Sequence, residues 1–274
     1  MTPVIGVFDS GFGGLTVLKA LVKRMPGARF AFLGDTARLP YGSKSRRTIA
    51  RYAAESAQFL ANQQGAEFLV IACNTASALA LDAIQDAVSV PVLGVIEPGA
   101  AAAAASSTAR DVLVIATEAT VASHAYAAAC RERGLRAVEK ACPLLVPLVE
   151  EGWVNPVDHP VTPEVVRIYL NEALEEARAA GHSPDTLVLG CTHYPLLRAV
   201  FERTAPEGMR IIDSAEATAE ETARRVGLVA ASRAESPAAD IRCFATDSVE
   251  KFERLGSRFL GLPVGKVELV DLGG

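Results

Sequence analysis

Short apolar runs alternate along the chain with longer stretches of mixed polarity. Residues 4–8, 29–33, 68–72, 90–95, 111–116, 187–190 and 210–212 are apolar with little in-out alternation, as in strands covered on both faces. Between them, residues 15–25, 45–64, 164–180 and 216–230 carry apolar positions at helical spacing. Strand then helix, repeated, predicts an α/β fold with parallel sheets and right-handed crossovers.

The pattern also repeats. Val4-Ile-Gly-Val-Phe-Asp-Ser-Gly leads from a strand into a polar turn and a helix, and Val112-Leu-Val-Ile-Ala-Thr-Glu-Ala-Thr does the same later. Phe68-Leu-Val-Ile-Ala-Cys-Asn-Thr has its counterpart in Thr186-Leu-Val-Leu-Gly-Cys-Thr-His. Two similar parallel-sheet α/β domains related by pseudo-symmetry are therefore expected. Glu97-Pro98-Gly99 punctuates the chain ahead of an alanine run, read as a plain helix packed closely on its sheet, and a second crossing falls near 206–213. The predicted division is 1–97 plus 213–274 for a discontinuous first domain, and 98–212 for the second.

Composition narrows the function classes. With 50% apolar and 22% charged residues, the chain has material for a core and is not of a disordered type. A net charge of -5 is too mild and of the wrong sign for a nucleic-acid surface, and Lys44, Arg46, Arg47 and Arg51 read as a solvated helix face. No signal peptide is recognisable, and the most apolar stretch is broken by Asn74, Thr75 and Ser77, so neither export nor a membrane span is expected. Five cysteines, an odd number without a C-x-x-C pair, point to free thiols and a cytoplasmic, reducing location.

Three motifs carry chemistry. Asp9-Ser10-Gly-Phe-Gly-Gly lies between a strand and a helix, where glycines let the backbone approach a carboxylate or phosphate, although a structural turn has the same composition. It lacks the Lys-Ser/Thr of a phosphate loop and the G-x-G-x-x-G spacing. Cys73-Asn74-Thr75 and Cys191-Thr192-His193-Tyr194-Pro195 each follow an apolar strand and precede a helix. Ligands gather at that end of a parallel strand, and a helix start favours a thiolate. A lone cysteine there is usually inert core; two at equivalent places in two similar units point to function.

Together with Asp35-Thr36-x-x-x-Pro40-Tyr41-Gly42, these motifs closely resemble the glutamate racemases of the aspartate/glutamate racemase superfamily, from Ile5 to Asp213. The resemblance implies a cofactor-independent isomerase with its active site in an interdomain cleft, interconverting L- and D-glutamate for peptidoglycan synthesis. By position, Cys73 and Cys191 match the two proton donor/acceptors. Asp9, Ser10, Tyr41, Gly42, Asn74, Thr75, Thr192 and His193 match substrate-binding positions, with Asp35, Thr117, Thr120 and Glu151 in support. No cofactor, metal, nucleic acid or membrane partner is implied, and homodimerisation is left open. The chemistry agrees, since inverting an α-carbon without a cofactor needs a base on one face and an acid on the other.

Rival readings are a racemase of aspartate or a hydantoin, an amino-acid sensor of similar architecture, and a metal site formed by Cys73, Cys191 and His193, which lacks closely spaced ligand pairs. Cys130, Cys142 and Cys243 show no strand-end context and read as structural. His124, His159 and His182 read as surface or packing residues, and Trp153 as a packing anchor.

Overall fold

The computed structural model describes residues 3–155, 157–228 and 239–273. It comprises two compact units, Met1–Val95 with Ala215–Gly274, and Ile96–Ser214. The chain thus crosses at 95/96 and 214/215, against the 97/98 and 212/213 read from the sequence. Pro98 and Gly99 do not separate the units but lie in the first turn of the helix Ile96–Ser106, where a proline costs no hydrogen bond.

The first unit contains strands β1 (Val4–Asp9), β2 (Arg29–Gly34), β3 (Ala66–Ile71) and β4 (Val92–Gly94). The second contains β5 (Asp111–Ala116), β6 (Arg136–Ala141), β7 (Thr186–Gly190) and β8 (Arg210–Asp213). Two more strands of the first unit follow, β9 (Asp240–Ala245) and β10 (Val267–Leu269). The first sheet runs β10-β9-β2-β1-β3-β4 and the second β6-β5-β7-β8, every pair parallel. The order 2-1-3-4 in the first unit is repeated as 6-5-7-8 in the second, so the strands before Cys73 and Cys191 occupy equivalent places.

The central strands were legible because parallel strands are covered on both faces: all six residues of β1 and of β5 are buried. Three strands escape the same rule. β6 is an edge strand without one fully buried residue, and it contains Glu139 and Lys140. β9 opens with Asp240 and Arg242, and β10 is three residues long. β6 corrects the reading of one thiol, since Cys142 directly follows it, whereas Cys243 lies inside β9 and not at a strand end, and is buried.

Helix Leu15–Arg24 buries Leu15, Val17, Leu18 and Leu21 and ends in Lys23 and Arg24, which complement its C-terminal dipole. The segment 45–64 forms helix Arg46–Gln58, capped by Ser45, and then widens into a π-helical turn Phe59–Gln63. Residues 164–179 belong to helix Val161–Ala179, which Ala180 caps, and 216–226 to Ser214–Val226, past whose end Gly227 and Leu228 lie, with Val229 and Ala230 outside the described residues. Among the described residues no helix is long and apolar enough to cross a membrane.

Candidate functional site

In the first unit, β1 ends at Asp9, and the Asp9–Gly14 turn is held against the sheet by the absence of side chains. A Cβ on Gly14 would stand 2.5 Å from that of Asp9, and one on Gly34 would collide with the carbonyl of Gly11. Phe12 anchors the turn from outside: it is buried against Phe259 of helix Val249–Leu260, centroids 5.6 Å apart. The Asp9 carboxylate is buried and accepts the Gly11 N–H at 3.0 Å.

Cys73 follows β3 and is itself the N-cap of helix Asn74–Leu79. Its Sγ accepts the Ala76 N–H at 3.4 Å and donates to Ser10 Oγ at the same distance. Burial pushes the thiol up to about 12 and the Asp9 charge adds to this, while hydrogen bonding with Ser10 and Ala76 works the other way. Cys73 is therefore held protonated. Asn74 and Thr75 are buried beside it.

The segment after β2 builds a second wall of this site. Asp35, fully buried, accepts Arg38 Nε at 2.8 Å, Tyr41 Oη at 2.5 Å and Thr246 Oγ1 at 2.9 Å. Arg38 also pairs with Glu55 and lies over the Tyr52 ring, 4.3 Å from its centroid. Burial and the Asp35 carboxylate push the Tyr41 hydroxyl well above its usual range, so it stays a donor. The Tyr41 carbonyl accepts the Lys44 N–H at 3.0 Å, closing the 3₁₀ turn Tyr41–Ser43. Thr246 carried no signal in the sequence, since it directly follows a strand, β9, that the apolar pattern does not mark.

In the second unit, Cys191 follows β7, with Thr192 and His193 next to it and all three buried. The 3₁₀ turn Tyr194–Leu197 carries Pro195 near its start, and Tyr194 Oη ties it to the Cys142 carbonyl at 2.9 Å. His193 Nδ1 lies 4.0 Å from Cys191 Sγ and 3.4 Å from Thr192 Oγ1, and its Nε2 is 3.3 Å from Glu150 Oε1. Burial alone would lower this imidazole, but hydrogen bonds and charge from Cys191 and Glu150 outweigh it and bring it to about 10. His193 is an imidazolium at neutral pH.

The acidic partner of His193 is thus Glu150, the last residue of helix Leu145–Glu150, a residue the sequence reading did not single out; Glu151, read as a supporting cleft residue, is exposed. Thr117 and Thr120 meet each other, 2.9 Å between hydroxyls, directly after β5, the equivalent of β1. Trp153 is no core anchor: it is 38% exposed and stacks on His159 at 5.5 Å. All five cysteines are free, and no group of three or more His, Cys, Asp or Glu among the described residues could hold a metal.

The model of the Asp/Glu/hydantoin racemases matches residues 5–222. A glutamate racemase of Koribacter versatilis is 54% identical, the alignment covering 99% of this chain and 98% of that protein. Among solved structures, a glutamate racemase isoform of Bacillus anthracis superposes with a TM-score of 0.86 at 37% identity, over 98% of each chain. A glutamate racemase of Francisella tularensis in complex with D-glutamate gives 0.84 at 33% identity, over 99% of this chain and 98% of that one.

Proposed function

Because the chain belongs to the Asp/Glu/hydantoin racemase family, we propose that it interconverts L- and D-glutamate without a cofactor, using Cys73 and Cys191 as acid and base. The observation that carries this reading is the charge contrast at two equivalent strand ends. An anion, Asp9, stands by Cys73, and a cation, His193, stands by Cys191.

The α-proton of an amino acid is weakly acidic, so its removal needs an available thiolate and its replacement a thiol on the other face. With L-glutamate, Cys191 as thiolate beside the imidazolium takes the α-proton. The electron pair left on the α-carbon then takes a proton from the Cys73 thiol. Charge has moved from Cys191 to Cys73, and proton exchange with solvent resets the pair. D-Glutamate follows the reverse path from the form in which Cys73 has given its proton to solvent and Cys191 carries one: the Cys73 thiolate takes the α-proton and the Cys191 thiol returns one to the other face. The backbone of Tyr41–Gly42 and the hydroxyls of Ser10, Thr75 and Thr192 hold the substrate carboxylates, and such donors also stabilise the developing enolate charge. Free thiols fit a reducing cytoplasm, where D-glutamate is consumed in peptidoglycan synthesis.

Incubation of dialysed, chelator-treated protein with L-glutamate should bring the optical rotation to zero, and a thiol alkylator should abolish the reaction. Persistence of the L form, or a requirement for added pyridoxal phosphate or metal, would contradict the proposal.

A further inference from the structure

The loop after β2 is tied to the loop after β9 by a reciprocal set of hydrogen bonds. Thr246 Oγ1 donates to Asp35 Oδ1 at 2.9 Å and accepts the Ala37 N–H at 2.9 Å. Thr36 Oγ1 in turn donates to the Asp247 carbonyl and accepts the Asp247 N–H at 2.9 Å. The Thr246 N–H donates to the Gly34 carbonyl at 3.2 Å, which sets the register of the clasp where the strands end. One hydroxyl, on a residue far along the chain, thus fixes both the backbone of the Asp35–Pro40 segment and the carboxylate that holds Tyr41. Thr246 is only half-buried, so packing does not account for a side chain that satisfies a donor and an acceptor at once.

From this geometry we infer that Thr246 is a positioning residue for substrate binding, acting through Asp35 and Ala37 to hold the Tyr41–Gly42 backbone where it receives a carboxylate of glutamate. The inference rests on the glutamate reading above. It assigns a working role to the β9 end, which lies beyond the residues 5–222 that the family model matches. A threonine suits the role because valine, of nearly the same shape, offers neither hydrogen bond, whereas serine offers both.

Thr246→Val and Thr246→Ser are to be compared with the unaltered protein in glutamate racemisation and in amide hydrogen exchange. Thr246→Val should raise KM for glutamate roughly fivefold to tenfold with kcat changed less than about twofold, the mark of lost binding common to ground and transition states. Thr246→Ser should restore KM. Exchange should quicken at residues 35–43 in the valine variant, and the rest of the unit should stay protected. A valine variant with unchanged KM, a serine variant as impaired as valine, or loosening spread across the unit would overturn the inference. If the unaltered protein left glutamate untouched, the glutamate reading would fall, and exchange at 35–43 would still decide whether Thr246 holds this segment.

Discussion

The two strand-end thiols are alike in placement and opposite in surroundings. Cys73 and Cys191 are 6% and 7% exposed, each after a strand at the same place in its sheet. Yet burial and Asp9 push the first up to about 12, whereas the second faces an imidazole raised to about 10. The repeated fold supplies two positions; the side chains around them set them apart. On the proposed reading, neighbours of opposite charge, rather than any difference between the thiols, divide the work of acid and base between them.

The bluntest way to break this comparison is to remove a thiol. Cys73→Ser or Cys191→Ser should lower racemisation by at least roughly 10²–10⁴-fold, the usual contribution of a general acid or base. Solvent-deuterium exchange at the α-carbon should become one-sided, Cys73→Ser still exchanging L-glutamate and Cys191→Ser the D form. Equal loss on both enantiomers in both variants would mean one working thiol.

Altering the charged neighbours should act next most strongly. Asp9→Asn and His193→Gln should lower kcat roughly tenfold or more and change KM less, because a group that tunes an acid or base acts chiefly in the transition state. The pH dependence has a definite sign. His193 is raised above its usual range, so the imidazolium persists at neutral pH and is lost as pH rises through about 10, taking the alkaline limb of L-glutamate turnover with it. Its contribution to stability follows the same course, complete below the ordinary histidine value of 6.5 and fading as pH rises to about 10.

A finer cut separates two adjacent glutamates. Glu150→Gln removes one of the groups that raise His193, so the alkaline limb should move to lower pH and kcat should fall roughly threefold to tenfold. Glu151→Gln, on an exposed side chain, should stay within about twofold. Equal effects in the two variants would mean that Glu150 does not tune His193. Tyr41→Phe tests stability instead: it deprives Asp35 of one of its donors and should cost about 1–3 kcal/mol in urea unfolding.

What the sequence disclosed follows a physical boundary. The central strands and both cysteine motifs stood out because a strand covered on both faces must be apolar and a reactive residue at its end interrupts that run. β6 and β9 did not, since edge or half-covered strands tolerate Glu139, Lys140, Asp240 and Arg242. Thr246 went unseen for the same reason. Between Glu150 and Glu151 the sequence had no means of choosing, because one step around a helix turns a side chain by about 100° and the phase of so short a helix is set by its packing. Trp153 misled in the other direction: a lone tryptophan suggests a core, whereas here it stacks on His159 near the surface.

The charge contrast is tested most directly by the rate at which each thiol is alkylated as a function of pH, both followed in one sample by peptide mass mapping. Thiolate is the reactive form, and the near-equal burial of the two residues makes access a shared factor. At about pH 7.5 Cys191 should react well ahead of Cys73, and Asp9→Asn should narrow the gap by releasing Cys73. Reaction of Cys73 first, or of both thiols at one rate across the pH range, would contradict the account.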